Sequence, residues 1–121
     1  MLQPTPDHPI AIAPNPRRVR VVFKGRVIAD TRSALTLQES TLPAVQYVPR
    51  QDADMSVMTR SEHRTHCPYK GDASYYTVRV DGDEAVDAVW SYEAPNAAVA
   101  QIAGYLAFYP DRVDAIEELA D

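Results

Sequence analysis

From residue 74 to residue 92 the chain alternates in a way that only a pair of extended strands can use. Ser74, Tyr76, Val78 and Val80 take every second position, with Tyr75, Thr77 and Arg79 between them. Asp81-Gly82-Asp83 interrupts, and Val86, Ala88, Trp90 and Tyr92 then resume the two-residue period. Side chains repeat every second residue along a strand and every 3.6 along a helix, so the pattern predicts a hairpin with one apolar face.

The same period recurs in shorter stretches. Val19, Val21 and Phe23 alternate with Arg18, Arg20 and Val22, and Val27, Ala29 and Thr31 follow after Lys24-Gly25. That dipeptide suits a two-residue hairpin loop, because glycine takes positive φ freely. Leu35 with Leu37, and Val45 to Val48 before Pro49, predict two further strands, and Tyr105 to Tyr109 a last core strand. Arg50 to Arg64 is polar, anchored only by Met55, Val57 and Met58, and is expected to be a long irregular crossing. Asn96 as N-cap, Val99, Ile102 and Ala103 at helical spacing and Gly104 as a stop predict one short helix. Residues 111–121 suit either a helix or a strand.

These elements predict a mainly β fold: two packed antiparallel sheets of short strands around a groove, or a partly open barrel, with one short helix. There is no βαβ alternation and no glycine-rich phosphate loop, which disfavours a doubly wound nucleotide fold. Five prolines at positions 4, 6, 9, 14 and 16 make residues 1–16 an extended arm, in which Ile10 and Ile12 can add an edge strand. Residues 17–121 are expected to form a single β domain, since a chain of 121 residues holds one core.

A net charge of −5 argues against general nucleic-acid binding. The charge is uneven: +4 over residues 1–70 and −9 over residues 71–121. A basic patch follows if the halves separate, and an averaged field if they interleave, which the usual pairing of consecutive strands favours. No stretch reaches the roughly 20 apolar residues of a membrane helix. The first residues lack a basic stretch followed by an apolar one, so no secretory signal is expected. Cys67 is the single cysteine, and a reducing, cytoplasmic compartment is the simplest expectation.

Thr65-His66-Cys67-Pro68-Tyr69-Lys70-Gly71 concentrates reactive side chains. An imidazolium beside a thiol stabilises the thiolate, which makes Cys67 a candidate nucleophile with His66 as its partner. Pro68 and Gly71 bracket Tyr69 and Lys70 in a turn that presents an ammonium and a phenol to a carboxylate or phosphate oxygen. The plainer alternative is that Cys67 is a small buried apolar residue, and neighbours on a strand point to opposite faces. His63, His66 and Cys67 crowd into five residues without a second ligand pair, and His8 is the remaining histidine, so neither a metal nor another cofactor is expected.

The string around Cys67 resembles the signature of a bacterial and fungal family, Domain of Unknown Function 427, sometimes labelled nucleotidyltransferase-like. The resemblance continues in Val21-Val22-Phe23 with Gly25, Ala29-Asp30-Thr31, and Tyr47-Val48-Pro49-Arg50 with Asp52. It also takes in Ala73-Ser74-Tyr75-Tyr76, Trp90-Ser91-Tyr92 with Pro95, and Ile102 with Tyr105-Leu106-Ala107-Phe108-Tyr109. It runs from about Pro9 to Val113 and implies folded sheets around a groove, similar to the β-tent or Mss4-like group. Zinc-binding members of that group carry two Cys-x-x-Cys pairs, which this chain lacks. The nucleotidyltransferase label finds no glycine-serine motif with paired aspartates here.

Three functions are open on this sequence. The first is a module for a small anionic or carbonyl-bearing molecule, with Tyr47, Arg50, Tyr69, Lys70, Trp90 and Tyr92 as the expected binding residues. The second is a small hydrolase or lyase using Cys67, its thiol activated by His66 or Lys70. The third is a protein-interaction adaptor that uses a strand edge or the acidic C-terminal tail. Free sheet edges also permit a homodimer.

Overall fold

The computed structural model describes residues 2–120 and shows a mainly β chain of ten antiparallel strands in three sheets. One sheet has the order β1-β4-β5, from Ile10–Pro14, Leu35–Glu39 and Val45–Tyr47. The second is β10-β2-β3, from Ala115–Leu119, Arg18–Phe23 and Arg26–Thr31. The third is β6-β7-β8-β9, from Met58–Cys67, Gly71–Val80, Asp83–Ser91 and Ala107–Phe108. They do not close into a barrel. Among the described residues no helix is long and apolar enough to cross a membrane.

Two hairpins form where the turn chemistry places them. Lys24 and Gly25 have φ of 51° and 73°, and Asp81 and Gly82 have φ of 50° and 85°. Positive φ at both central residues gives the turn whose twist matches a right-handed strand pair. The arm folds back through a turn between Thr5 and His8, and its β1 pairs with β4. The acidic C-terminal segment is a strand: β10 pairs with β2, setting Glu117 opposite Arg20, whose Nε donates to the carboxylate at 2.9 Å. Oppositely charged halves of the chain therefore interleave at this pairing.

Three expectations are corrected. The segment 50–64 is not an irregular crossing: after two 3₁₀ turns at Arg50–Asp52 and Met55–Val57 it becomes the ten-residue edge strand β6. Most β6 side chains face solvent, so the strand is held by its ladder to β7 and leaves no apolar alternation to find. The predicted helix is a 3₁₀ turn over Ala97–Ile102, and the Asn96 side chain does not cap it. Val99 breaks the helical dihedrals there, and both Val99 and Ile102 are fully buried. The single face expected of Val86, Ala88, Trp90 and Tyr92 is divided: Val86 lies 60% exposed, Ala88 packs in one core cluster, and Trp90 and Tyr92 pack in another. Asp87 bulges with φ of 52°, its amide donating to the Thr77 hydroxyl at 3.2 Å, and the bulge sets two extra residues of β8 against Thr77.

The central half of the β7–β8 hairpin is buried on both faces, which divides the core. Tyr76, Val78, Ala88 and Val89 pack into one apolar cluster with Val19, Val21 and Ile28. Tyr75 and Tyr92 belong to a second cluster with Leu37, Tyr47, Val99 and Ile102, against which Trp90 packs. Asn15, buried between sheets, links them further. Its amide nitrogen donates to Gln46 of β5 and to Glu118 of β10, both at 2.9 Å.

Candidate functional site

A cavity of about 610 Å³ opens where the three sheets meet. β2 and β10 contribute Val19, Val21 and Ile116, and β4 contributes Leu37 and Glu39. Tyr47 from β5, Tyr75 and Trp90 from the hairpin, Tyr92 just after it, Phe108 of β9 and Tyr109 beyond supply aromatic walls. The Trp90 indole packs against the Tyr109 ring at 4.5 Å between centroids, and its N–H donates to the Tyr47 hydroxyl at 3.2 Å.

Lys70 reaches the cavity from the turn between β6 and β7. The Asn96 amide donates to the Lys70 carbonyl at 2.9 Å, and the Asn96 side chain donates to that of Pro68 at 3.2 Å. Gly71 follows with φ of 110°, and a Cβ there would meet Asn96 at 3.4 Å, so the turn sits close against the loop after β8. The Lys70 ammonium is paired with the Glu39 carboxylate, and both side chains are about nine-tenths buried. His8 Nε2 lies 2.7 Å from the other Glu39 oxygen. Burial alone would raise the Glu39 pKa, but hydrogen bonds from Lys70 and His8 outweigh it and hold the carboxyl below its ordinary value.

The phenols are shifted the other way. Burial above all, with negative charge nearby, pushes Tyr47 and Tyr92 well above the usual tyrosine range and Tyr109 up to about 12. At neutral pH these groups are O–H donors. The Cys67 sulfur is close enough that its charge would raise both Tyr47 and Tyr92. Cys67 itself is half-buried against the second cluster.

Of the residues expected to bind, the fold brings Tyr47, Lys70, Trp90 and Tyr92 to one cavity. Arg50 does not join them. Its guanidinium bonds to the Tyr76 hydroxyl at 3.0 Å and lies 3.6 Å from Glu93, with the Tyr76 ring packed in the first cluster. Tyr69 lies outside the cavity lining and stacks on His8 at 3.9 Å. His66 pairs with Asp72 at 2.7 Å on the exposed surface, whereas Cys67 packs inward, as neighbours on a strand must.

The family described as Domain of unknown function (DUF427) matches residues 11–119. The chain belongs to that family. No curated protein matches it. The residues that carry the DUF427 resemblance divide between the two faces of the hairpin: Tyr76 and Ser91 meet Arg50, while Tyr75, Trp90 and Tyr92 face the cavity. Among the described residues no three His, Cys, Asp or Glu side chains converge to hold a metal ion.

Glu39, Tyr75 and Tyr109 line the cavity but were not among the expected site residues. Tyr75 falls on the alternate positions of β7, the signal for an outward face, and only the second cluster turns that face inward. For Glu39 no local signal exists. Its importance comes from Lys70, 31 positions away, and from His8.

Proposed function

We propose that this chain binds a small, ring-bearing organic molecule with an anionic or carbonyl group in the cavity between its sheets. The observation that carries the reading is the lining: aromatic walls from four strands and one fixed ion pair, Lys70 with Glu39, around about 610 Å³. Small-molecule sites have this composition and typically hold roughly 300–1,000 Å³. A second reading is a thiol-dependent reaction at the same place, favoured by the packing of Cys67 against the cluster that holds Tyr47 and Tyr92.

The test uses Trp90, the chain's single tryptophan, whose indole resonance reports on the cavity wall. A panel of aromatic fragments is titrated into the wild type and into Ala44→Phe. Ala44 is exposed on the cavity lining, so a phenyl ring there blocks the space without disturbing the core or adding a second indole. Fragments are expected to shift the Trp90 signal in the wild type and to lose that effect in a variant with unchanged melting. A panel that leaves the signal unmoved would overturn the reading.

A further inference from the structure

We infer that the cavity selects an uncharged carbonyl group attached to an apolar ring, and not an anion; this rests on the ligand-binding reading above. The Lys70 cation is already neutralised. Its ammonium is paired with Glu39, is nine-tenths buried with it, and shares that carboxylate with His8. An incoming carboxylate or phosphate must displace Glu39 from both partners and then lie in the cavity beside it. Glu118 also lines the space, so acidic side chains there outnumber the lysine. Burying a second unpaired anion is strongly unfavourable.

The remaining polar capacity of the aromatic walls lies in phenol hydroxyls, which accept as well as donate, and a carbonyl oxygen uses their donor side. Tyr92 is 6% exposed, and its hydroxyl has no hydrogen-bond partner among the described residues. Among the described residues the sealed side-chain atom without a partner is Asp87 Oδ1, so the Tyr92 oxygen opens on the space it lines. Tyr47, 1% exposed, accepts from the Trp90 indole and gives its own proton to no described group. Two buried phenol O–H groups without acceptors complement the two lone pairs of a carbonyl oxygen. A phenol is a neutral donor, so it rewards an uncharged acceptor without the desolvation penalty an anion carries.

Acetophenone, benzoate and toluene share one ring and differ only in the group it bears, which makes them suitable probes. Their affinities are measured through the Trp90 indole resonance at neutral pH. Acetophenone is expected to bind at least tenfold more tightly than either benzoate or toluene, as one to two donated hydrogen bonds imply. Tyr92→Phe, which keeps the ring, is expected to reduce acetophenone binding about fivefold and leave toluene unchanged. Benzoate binding as tightly as acetophenone would overturn the inference while keeping a ligand site. Equal acetophenone binding in Tyr92→Phe and wild type would also overturn it. No response to any of the three probes would instead remove the cavity reading itself.

Discussion

Replacing Glu39 with glutamine isolates the electrostatics of the cavity rim. In the wild type the Lys70 and Glu39 side chains are 12% and 10% exposed. Breaking a buried pair by removing one partner typically destabilises by 3–5 kcal/mol, because the other charge is left uncompensated. The residual exposure of this pair puts the expected loss for Glu39→Gln at about 3 kcal/mol, near the lower bound. After the change, the Lys70 ammonium faces a neutral amide in place of the carboxylate, with the Tyr92 ring 5.9 Å away. Lys70→Met should do less harm, about 2 kcal/mol, because Glu39 keeps His8 at 2.7 Å. The double variant should lose less than the two single losses combined, since neither charge is stranded. At about 4 °C per kcal/mol for a chain of this length, the single variants melt roughly 12 °C and 8 °C lower. Urea denaturation gives the free energies and calorimetry the melting points. Acid adds a second reading. Glu39 titrates below its ordinary 4.5 in the folded chain. Its contribution is therefore complete above 4.5 and is lost as pH falls through the lower folded value. Glu39→Gln should flatten that part of the stability profile. Single variants that each lose under about 1 kcal/mol, or losses that simply add in the double variant, would refute a desolvated pair.

Asn15→Ala removes the side chain that bridges Gln46 and Glu118; a loss of roughly 2 kcal/mol in urea unfolding is expected, and a neutral effect would contradict the bridge. In an alkaline titration followed at 295 nm, Tyr47, Tyr92 and Tyr109 should stay protonated near pH 11, since all three are held above the ordinary 10. Their stabilisation is present below pH 10 and is lost as pH rises through the raised values, so they should ionise only as the chain unfolds. Full ionisation of all seven tyrosines in the folded chain would show the cavity walls to be wetter than described. Cys67→Ser is expected to leave acetophenone binding within about threefold, since the thiol lies beside the phenols and not in the lining; a complete loss would favour the thiol-dependent reading.

Legibility in the sequence followed the range of the interaction. Both tight hairpins were legible because Lys24-Gly25 and Asp81-Gly82 encode positive φ locally. Strand β6 was not, because its pairing partner is the next strand and its own side chains face water. Trp90, Tyr92, Tyr47 and Lys70 stood out as large or charged groups on strands and turns, and the fold assembles them. Arg50 stood out for the same reasons yet faces the other side of the hairpin, since residue type does not encode which face an arginine's turn will meet.

The bulge at Asp87 connects these outcomes. A hairpin in strict two-residue register would offer one apolar face, which is what the alternation from Ser74 to Tyr92 suggests. The ladder pairs Val78 with Ala85 but Tyr76 with Val89, so β8 carries two extra residues there, which leaves Val86 in water and lets Ala88 join Val89 in the first cluster. Beyond the bulge both faces of the hairpin carry large apolar side chains, and both need covering. Sheet β10-β2-β3 packs on one and sheet β1-β4-β5 on the other. Those two covering sheets are bridged at Asn15. The cavity is the space left between them over the aromatic residues of the hairpin. The cavity therefore follows from large side chains on both faces of the hairpin, Tyr75 and Trp90 on one and Tyr76 and Val89 on the other, a two-sided pattern that a search for one apolar face does not report.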